Sequence, residues 1–260
     1  MKIYKDLFTR ITSLENLVLA WDEFKHDKRK KADVQEFEFS LEKNLFSLHR
    51  DLITKRYAHG AYTGFYIRDP KVRHIHKATV RDRVLHHAIF RVLYPIFEET
   101  FITNSFACRI GKGTHKGVLA AEAMLRKESR NYTIPCFALK CDVRKFFDSI
   151  DPEVLLSVLK KRIADPDTMW LLQQIVWSFT GGWKTLLDRL GVPIGNLTSQ
   201  LFANVYMNEF DQFAKQKLKI KHYARYTDDF VVISTDKKYL EGLIDPIQKF
   251  LNDKLKLSLH

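Results

Sequence analysis

The chain has 260 residues and carries 43 Lys and Arg against 31 Asp and Glu, a formal net charge of +12. That length buries a full core in one large domain or two small ones, and the basic balance points to a polyanionic partner, nucleic acid or an anionic membrane surface. No apolar run is long enough to span a bilayer, Met1 to Arg10 lacks the apolar core of a signal peptide, and Cys108, Cys136 and Cys141 have no metal-ligand spacing, so the expectation is a cytoplasmic protein without a membrane partner.

In chain order, Thr12-x-x-Glu15 reads as a capping box opening an amphipathic helix toward Lys25, and Asp33 opens a longer one to about Arg56. Phe37, Leu41, Leu45 and Leu48 recur there at helical spacing, which assigns them to the core rather than to stacking on bases. The run Lys28-Arg29-Lys30-Lys31 between the helices is a solvated basic loop or a phosphate contact. Tyr62–Ile67 and Val72–His76 read as short strands around the turn Arg68-Asp69-Pro70-Lys71.

Arg81 to Phe101 is helical in period, with Pro95 kinking or dividing it, and His86-His87 on it suit packing better than chemistry. Gly111-Lys112-Gly113-Thr114 lacks the glycine spacing of a P-loop but offers amides and a helix N-terminus to a phosphate ahead of a helix from Thr114 to Arg126. A strand follows over Phe137–Val143. Asp151-Pro152 and Asp165-Pro166 each supply an N-cap with proline at the first helical position. Gly181-Gly182 breaks the second of these helices, and Gly191 to Gly195 forms a loop before a long helix from about Thr198 to Leu218. A hairpin at Tyr226–Phe230 and a helix over about Lys237–Leu255 come last. Few strands among many helices is an α+β pattern.

The acids on the strand tips carry the chemistry. Asp228 and Asp229 lie between the apolar runs His222–Tyr226 and Phe230–Ser234, and Asp142 ends the strand that begins at Phe137. An ordinary Asp-rich turn is the competing reading of the pair. If the strands are neighbours in one sheet, three carboxylates meet, and the simplest way to offset their repulsion is a pair of divalent cations with oxygen ligands. That is the arrangement of two-metal nucleotidyl transfer.

Asp142 with Phe147 five residues on, Pro193-Ile194-Gly195-Asn196-Leu197-Thr198-Ser199-Gln200, and Tyr226-Thr227-Asp228-Asp229 together resemble the ordered palm motifs of reverse transcriptases. Arg73, ten residues before Arg83, resembles the fingers of the same family, and the likeness covers nearly the whole chain. Within the family, Ile194-Gly195 with Ser199-Gln200, Ile-Arg-Asp-Pro-Lys at 67–71 and Gly-Lys-Gly-Thr-His-Lys at 111–116 look like the enzymes of diversity-generating retroelements. Group II intron and retron enzymes usually show a Gln-Gly pair followed by Ser-Pro in the same loop.

The resemblance implies a right-hand polymerase with a small antiparallel palm sheet packed on helices. Residues 1–84 would be the N-terminal part of the fingers, 85–150 palm with the first catalytic Asp, 151–193 a helical insertion of fingers and palm, and 194–260 palm with the Asp-Asp hairpin. Family members carry a thumb beyond this point, and with the sequence stopping at His260 the expectation is a fragment or a naturally cut form in which the thumb would be missing. Asp142, Asp228 and Asp229 would be catalytic, and with the Val143 carbonyl they would hold two Mg²⁺ ions, Mn²⁺ being the alternative. Arg73 would grip the triphosphate with Lys71 as helper; Arg83 would join them or be a structural partner of Asp82 or another acid. Phe147 would be the steric gate against a 2′-hydroxyl, simple packing being its bland reading. Ile194 and Gly195 would lie at the nucleotide, and Tyr226, Thr227, Ser199, Gln200 and Lys112 at template or primer. The implied partners are template RNA, a DNA or RNA primer, dNTPs and a small basic ring-forming accessory protein. An aliphatic residue at 194 implies relaxed fidelity opposite template adenine. The competing readings are a reverse transcriptase of group II intron, retron or phage-defence lineage, and a truncated, non-catalytic RNA-binding relative.

Overall fold

The computed structural model describes residues 2–69, 71–179 and 190–260, so Pro70 of the expected turn and the expected helix break at Gly181-Gly182 lie outside the described residues. Helices α1 (Leu7–Thr12), α2 (Leu14–Lys25), α3 (Ala32–Phe39) and α4 (Leu41–Ile53) precede strands β1 (Thr63–Asp69) and β2 (Lys71–Lys77). Helices α5 (Val80–Glu98) and α6 (Thr114–Glu128) lead to strand β3 (Phe137–Cys141), then to α7 (Phe146–Ser149), α8 (Pro152–Lys160), α9 (Pro166–Val176) and α10 (Leu197–Gln212). A π-helical turn at Phe213–Lys217 closes α10, and strands β4 (His222–Tyr226) and β5 (Asp229–Ser234) and helices α11 (Lys237–Gly242) and α12 (Ile244–Leu255) follow.

Several boundaries differ from the sequence reading, each for a local reason. The cap of α2 is Ser13, whose hydroxyl accepts from the Asn16 amide at 3.2 Å, while Thr12 ends α1 and donates back to the Phe8 carbonyl at 2.9 Å. The helix expected from Asp33 to Arg56 is two helices, because Ser40 leaves the helical conformation and the Asn44 side chain takes the Phe37 carbonyl at 2.9 Å. The helix expected over Lys237–Leu255 divides at Leu243, which places Pro246 in the first turn of α12, where its missing N–H costs no helical bond. By contrast α5 runs through Pro95 as one helix. Both Asp-Pro caps form: Asp151 accepts from the amides of Glu153 and Val154 at 2.8 and 3.0 Å, and Asp165 from those of Asp167 and Thr168 at 3.0 and 3.3 Å.

The chain divides into two units, Met1–Ile96 with Leu156–Leu201 and Phe97–Leu155 with Phe202–His260. In the first, α1, α2 and α4 bury one apolar stripe each: Leu7 and Ile11, then Leu17, Trp21 and Phe24, then Leu45, Leu48 and Leu52. Each large side chain so buried stabilises the unit by about 2 kcal/mol. Asp165 ties α9 to α1 by accepting from the Phe8 amide at 2.8 Å. Strands β1 and β2 form a two-stranded antiparallel sheet with Ile67 opposite Arg73 and Phe65 opposite Ile75.

The second unit holds a three-stranded antiparallel sheet in the order β3-β5-β4. Its buried face carries Tyr223, Arg225, Phe230 and Val232. Phe210 of α10 packs against Tyr223 and Phe230 and reaches Phe250 of α12, which stacks on Phe213 at 4.2 Å. Tyr206 donates to the Leu255 carbonyl at 2.6 Å, tying α10 to the end of α12. Helix α6 lies beside β4 and β5. Strand β3 stops at Cys141 rather than Val143. Its partner β5 turns at that point, and Val143 pairs instead with Leu259 in an isolated antiparallel bridge.

Candidate active site

The strand register brings the three acids together. Cys141 faces Phe230 across β3 and β5, and Tyr226 faces Asp229 across β4 and β5. Thr227 and Asp228 are therefore the two residues of the hairpin turn, and Asp142, one step past Cys141, emerges at the same end of the sheet. One carboxylate oxygen from each of Asp142, Asp228 and Asp229 lies within 4.8 Å of the other two, and all three residues are half-buried. Asp142 is held from its far side as well. Its carbonyl accepts from the His260 amide at 2.9 Å, and the Arg144 amide donates to the Ser258 carbonyl at 2.9 Å.

This grouping is electrostatically incomplete by itself. Burial pushes the Asp228 carboxyl up to about 6, and the charges of Asp142 and Asp229 push the same way, against its own backbone amide and Arg225. The ammonium of Lys140 is 3.8 Å from Asp229, but the lysine is largely exposed and the carboxylate half-exposed, so the pair offsets little. Oxygen-only donors with excess negative charge at a half-buried tip fit a hard divalent cation. The acids can hold such an ion.

Phe147 follows on α7, half-buried and edge-on to the buried Phe146 with ring centroids 5.3 Å apart. Val143 is 1% exposed. Beside the acids, a cavity of about 370 Å³ opens between α6 and the other face of the sheet, lined by Gly117, Ala121, Ala138 and Val231 with Tyr226 and Asp229. The Thr114 hydroxyl donates to the Tyr226 hydroxyl at 3.1 Å. Lys112 donates to the Thr103 carbonyl at 2.9 Å, and its amide and that of Gly113 donate to the carbonyls of Arg109 and Phe106, so these amides already have protein partners.

The remaining candidates belong to the first unit. Arg73 is exposed on β2, and Lys71 opens that strand. The Ile194-Gly195 loop docks on β2: the Ile194 carbonyl accepts from the His76 amide at 3.1 Å. Gly195 has φ 112°, and a Cβ there would come within 2.9 Å of Ile75 Cγ2, so both backbone and contact require glycine. Arg83 points elsewhere. Its guanidinium pairs with Asp33 at 2.5 Å and lies over the Phe24 ring. At the start of α10 Ser199 is 2% exposed, whereas Gln200 is exposed. His86 is buried and bonded through Nδ1 to the Thr198 hydroxyl at 2.6 Å, and burial holds it well below the usual histidine range.

Sequence reasoning missed Arg225 and Asp211. All five guanidinium hydrogens of Arg225 find acceptors: Asp211 Oδ1 at 2.8 Å, Asp211 Oδ2 at 2.7 Å, Ser105 Oγ at 3.0 Å, Asn204 Oδ1 at 3.3 Å and the Thr227 carbonyl at 2.7 Å. Asp211 also accepts from the Tyr223 hydroxyl at 2.7 Å. The available signal was the alternation of β4, where Tyr223 and Arg225 share the buried face: a charge there needs a buried partner.

Residues 67–260 match the family model described as reverse transcriptase (RNA-dependent DNA polymerase). Protein YkfC of Escherichia coli (strain K12) is 25% identical over 235 residues, covering 73% of this chain and 58% of its own length. The group II intron-encoded protein LtrA of Lactococcus lactis subsp. cremoris is 26% identical over 184 residues, 66% of this chain and 29% of its own. The retron Ec83 reverse transcriptase of Escherichia coli is 32% identical over 114 residues, 41% of this chain and 35% of its own. The chain thus spans less than two thirds of each of these relatives.

Proposed function

This chain belongs to the reverse transcriptase family, and from that premise we propose that it copies template RNA into DNA by nucleotidyl transfer at Asp142, Asp228 and Asp229. The observation that carries the reading is the convergence of three carboxylates within 4.8 Å on the tip of one sheet. In the reaction the primer 3′-oxygen bonds to the α-phosphorus of a dNTP and the bond to pyrophosphate breaks. Bound between these acids and the Val143 carbonyl, two Mg²⁺ ions, or Mn²⁺ in their place, would lower the pKa of the attacking hydroxyl and neutralise the leaving pyrophosphate.

The protein's own residues do the rest by position. Asp142, one step past the end of β3, and Asp228, in the turn between β4 and β5, would hold the ions, with Asp229 in support. Phe147, fixed against Phe146, would close the space a 2′-hydroxyl needs. Arg73, with Lys71, would hold the triphosphate by charge-assisted bonds. The shallow apolar cavity under Tyr226 suits the sugar and base of a primer end, with Thr227 and Lys112 on the same strand, while Gln200 and Ser199 would attend the template. Residues 1–84 and 151–193 would act as fingers and 85–150 with 194–260 as palm.

The lineage proposed is that of a diversity-generating retroelement, acting with a small basic accessory protein. Ile194 supports it, since an aliphatic side chain offers no hydrogen bond where the family resemblance implies Gln in group II intron and retron enzymes. The similarity to LtrA and to the retron Ec83 enzyme favours the second reading, a group II intron or retron enzyme.

Primer extension on poly-rA with oligo-dT and Mg²⁺ or Mn²⁺ tests the activity; binding of RNA with no extension in either metal would instead support a non-catalytic RNA-binding protein. Phe147→Ala should admit ribonucleotides into the product. Ile194→Gln should lower misincorporation opposite adenine on a defined RNA template, and an unchanged error spectrum would remove the support for the retroelement lineage.

A further inference from the structure

We infer that Arg225 is a positioning residue of the metal site, acting through the carbonyl of Thr227. The inference rests on the proposed use of Asp142, Asp228 and Asp229 as metal ligands.

The two-residue turn between β4 and β5 has a positive φ, 58°, at Thr227. Hairpin turns that begin with positive φ ordinarily carry Gly, Asn or Asp at that position, and a β-branched residue is among the least suited to it. The turn is nonetheless the element that presents Asp228 and Asp229, so something must hold the Thr227 peptide in that orientation. Arg225 supplies the hold. Its Nη1 donates to the Thr227 carbonyl at 2.7 Å, and every other hydrogen of the guanidinium is tied to a fixed acceptor. Its backbone is anchored too, with its amide donating to the Asn104 carbonyl at 2.9 Å and its carbonyl accepting from the Phe106 amide at 3.0 Å. Arg225 is therefore a rigid post, and the Thr227 carbonyl is its one attachment to the acid-bearing turn. Asp211, from α10, orients the guanidinium through both carboxylate oxygens. The chain Asp211–Arg225–Thr227 O–Asp228 thus transmits the rigidity of the buried sheet face to the ligand set.

The test is Mn²⁺ affinity, read by electron paramagnetic resonance of free Mn²⁺ over the protein and so independent of turnover. Arg225→Lys keeps the charge but cannot serve five acceptors. It should weaken Mn²⁺ binding by ~10- to 100-fold, the usual effect of losing a group that orients a metal ligand, and raise the half-activating Mn²⁺ concentration in primer extension by the same factor while the KM for dTTP stays fixed. Adding Thr227→Gly should restore much of the lost affinity, because glycine adopts positive φ without help; a role in core stability alone predicts no such rescue. If Arg225→Lys does not fold, the pair Arg225→Met with Asp211→Leu fills the space without a buried unpaired charge and should show the same loss and the same rescue. A folded variant that binds Mn²⁺ as the wild type does, or a loss that Thr227→Gly leaves untouched, overturns the inference. Failure of the proposed function is distinguishable: a wild-type protein that binds Mn²⁺ without extending a primer sinks the polymerase reading and leaves this one standing.

Discussion

Each unit of the chain holds buried or half-buried aspartate, and the two cases have opposite character. Asp82 in the first unit is 1% exposed, and its carboxylate accepts from Tyr57 Oη at 2.8 Å, the Gly60 amide at 3.0 Å and Thr79 Oγ1 at 2.5 Å. The Thr79 hydroxyl in turn accepts from the Asp82 amide at 3.2 Å, so Thr79 also caps the start of α5. Asp142, Asp228 and Asp229 in the second unit are more exposed, yet they face one another. The difference teaches how to tell a structural acid from a chemical one. A carboxylate surrounded by fixed N–H and O–H donors is already satisfied, whereas carboxylates whose nearest neighbours are other carboxylates are arranged for something not supplied by the chain.

The largest effect expected from this contrast is at Asp228. Asp228→Asn should reduce primer extension to background while leaving RNA binding intact, and in metal-free buffer its Tm should rise, because one member of a repelling group has lost its charge. Extension by this variant in Mn²⁺ would show that the acids are a turn and not a metal site.

Asp82→Ala should do the reverse. Removing the acceptor strands the Tyr57 hydroxyl, the Gly60 amide and the Thr79 hydroxyl in the interior, at a cost of about 2–4 kcal/mol in stability. Extension per folded molecule should stay near wild type, measured well below the lowered Tm and with denaturant melts to count the folded fraction. A variant that stays folded but loses extension would erase the distinction between the two acid clusters.

The same contrast explains what could be read in advance. Element types followed from period and punctuation: the Asp-Pro caps at 151–152 and 165–166 need only neighbours in sequence, and they formed as expected. The acids were legible because Asp142 and Asp228-Asp229 each follow or interrupt an apolar strand run, so a single assumption, that the strands adjoin, brought them together. Helix interruptions at Ser40 and Leu243 were not legible, since they depend on competition between side chain and backbone or on where a proline falls in a turn. Arg225 was missed for a different reason. The alternation of β4 marks it as facing the core, but the buried partners that fix it, Asp211 and Ser105, lie 14 and 120 residues away, and no local spacing identifies them. Phe147 and Ile194 were singled out by family likeness, and the structure adds to them only a packed neighbour and a backbone bond.

The smallest effect expected is a pH dependence confined to the acid cluster. The Asp228 carboxyl is pushed up to about 6, first by burial and then by Asp142 and Asp229. The unfolded chain loses this proton in the ordinary carboxylate range and the folded, metal-free protein only near 6, so between those values the folded state binds more protons and its stability falls as pH rises. A divalent ion bound at the three acids would displace the same proton. Its affinity should therefore climb about tenfold between roughly pH 5 and pH 7, the gain from removing one competing proton, and level off above that. Thermal protection by Mn²⁺, followed across this range, should trace the rise. In Asp228→Asn the slope through pH 6 should vanish, and in Asp82→Ala it should persist, since that acid neither faces another carboxylate nor meets the ion. A slope unchanged by Asp228→Asn would assign the titration to another group and remove the electrostatic part of the argument for the site.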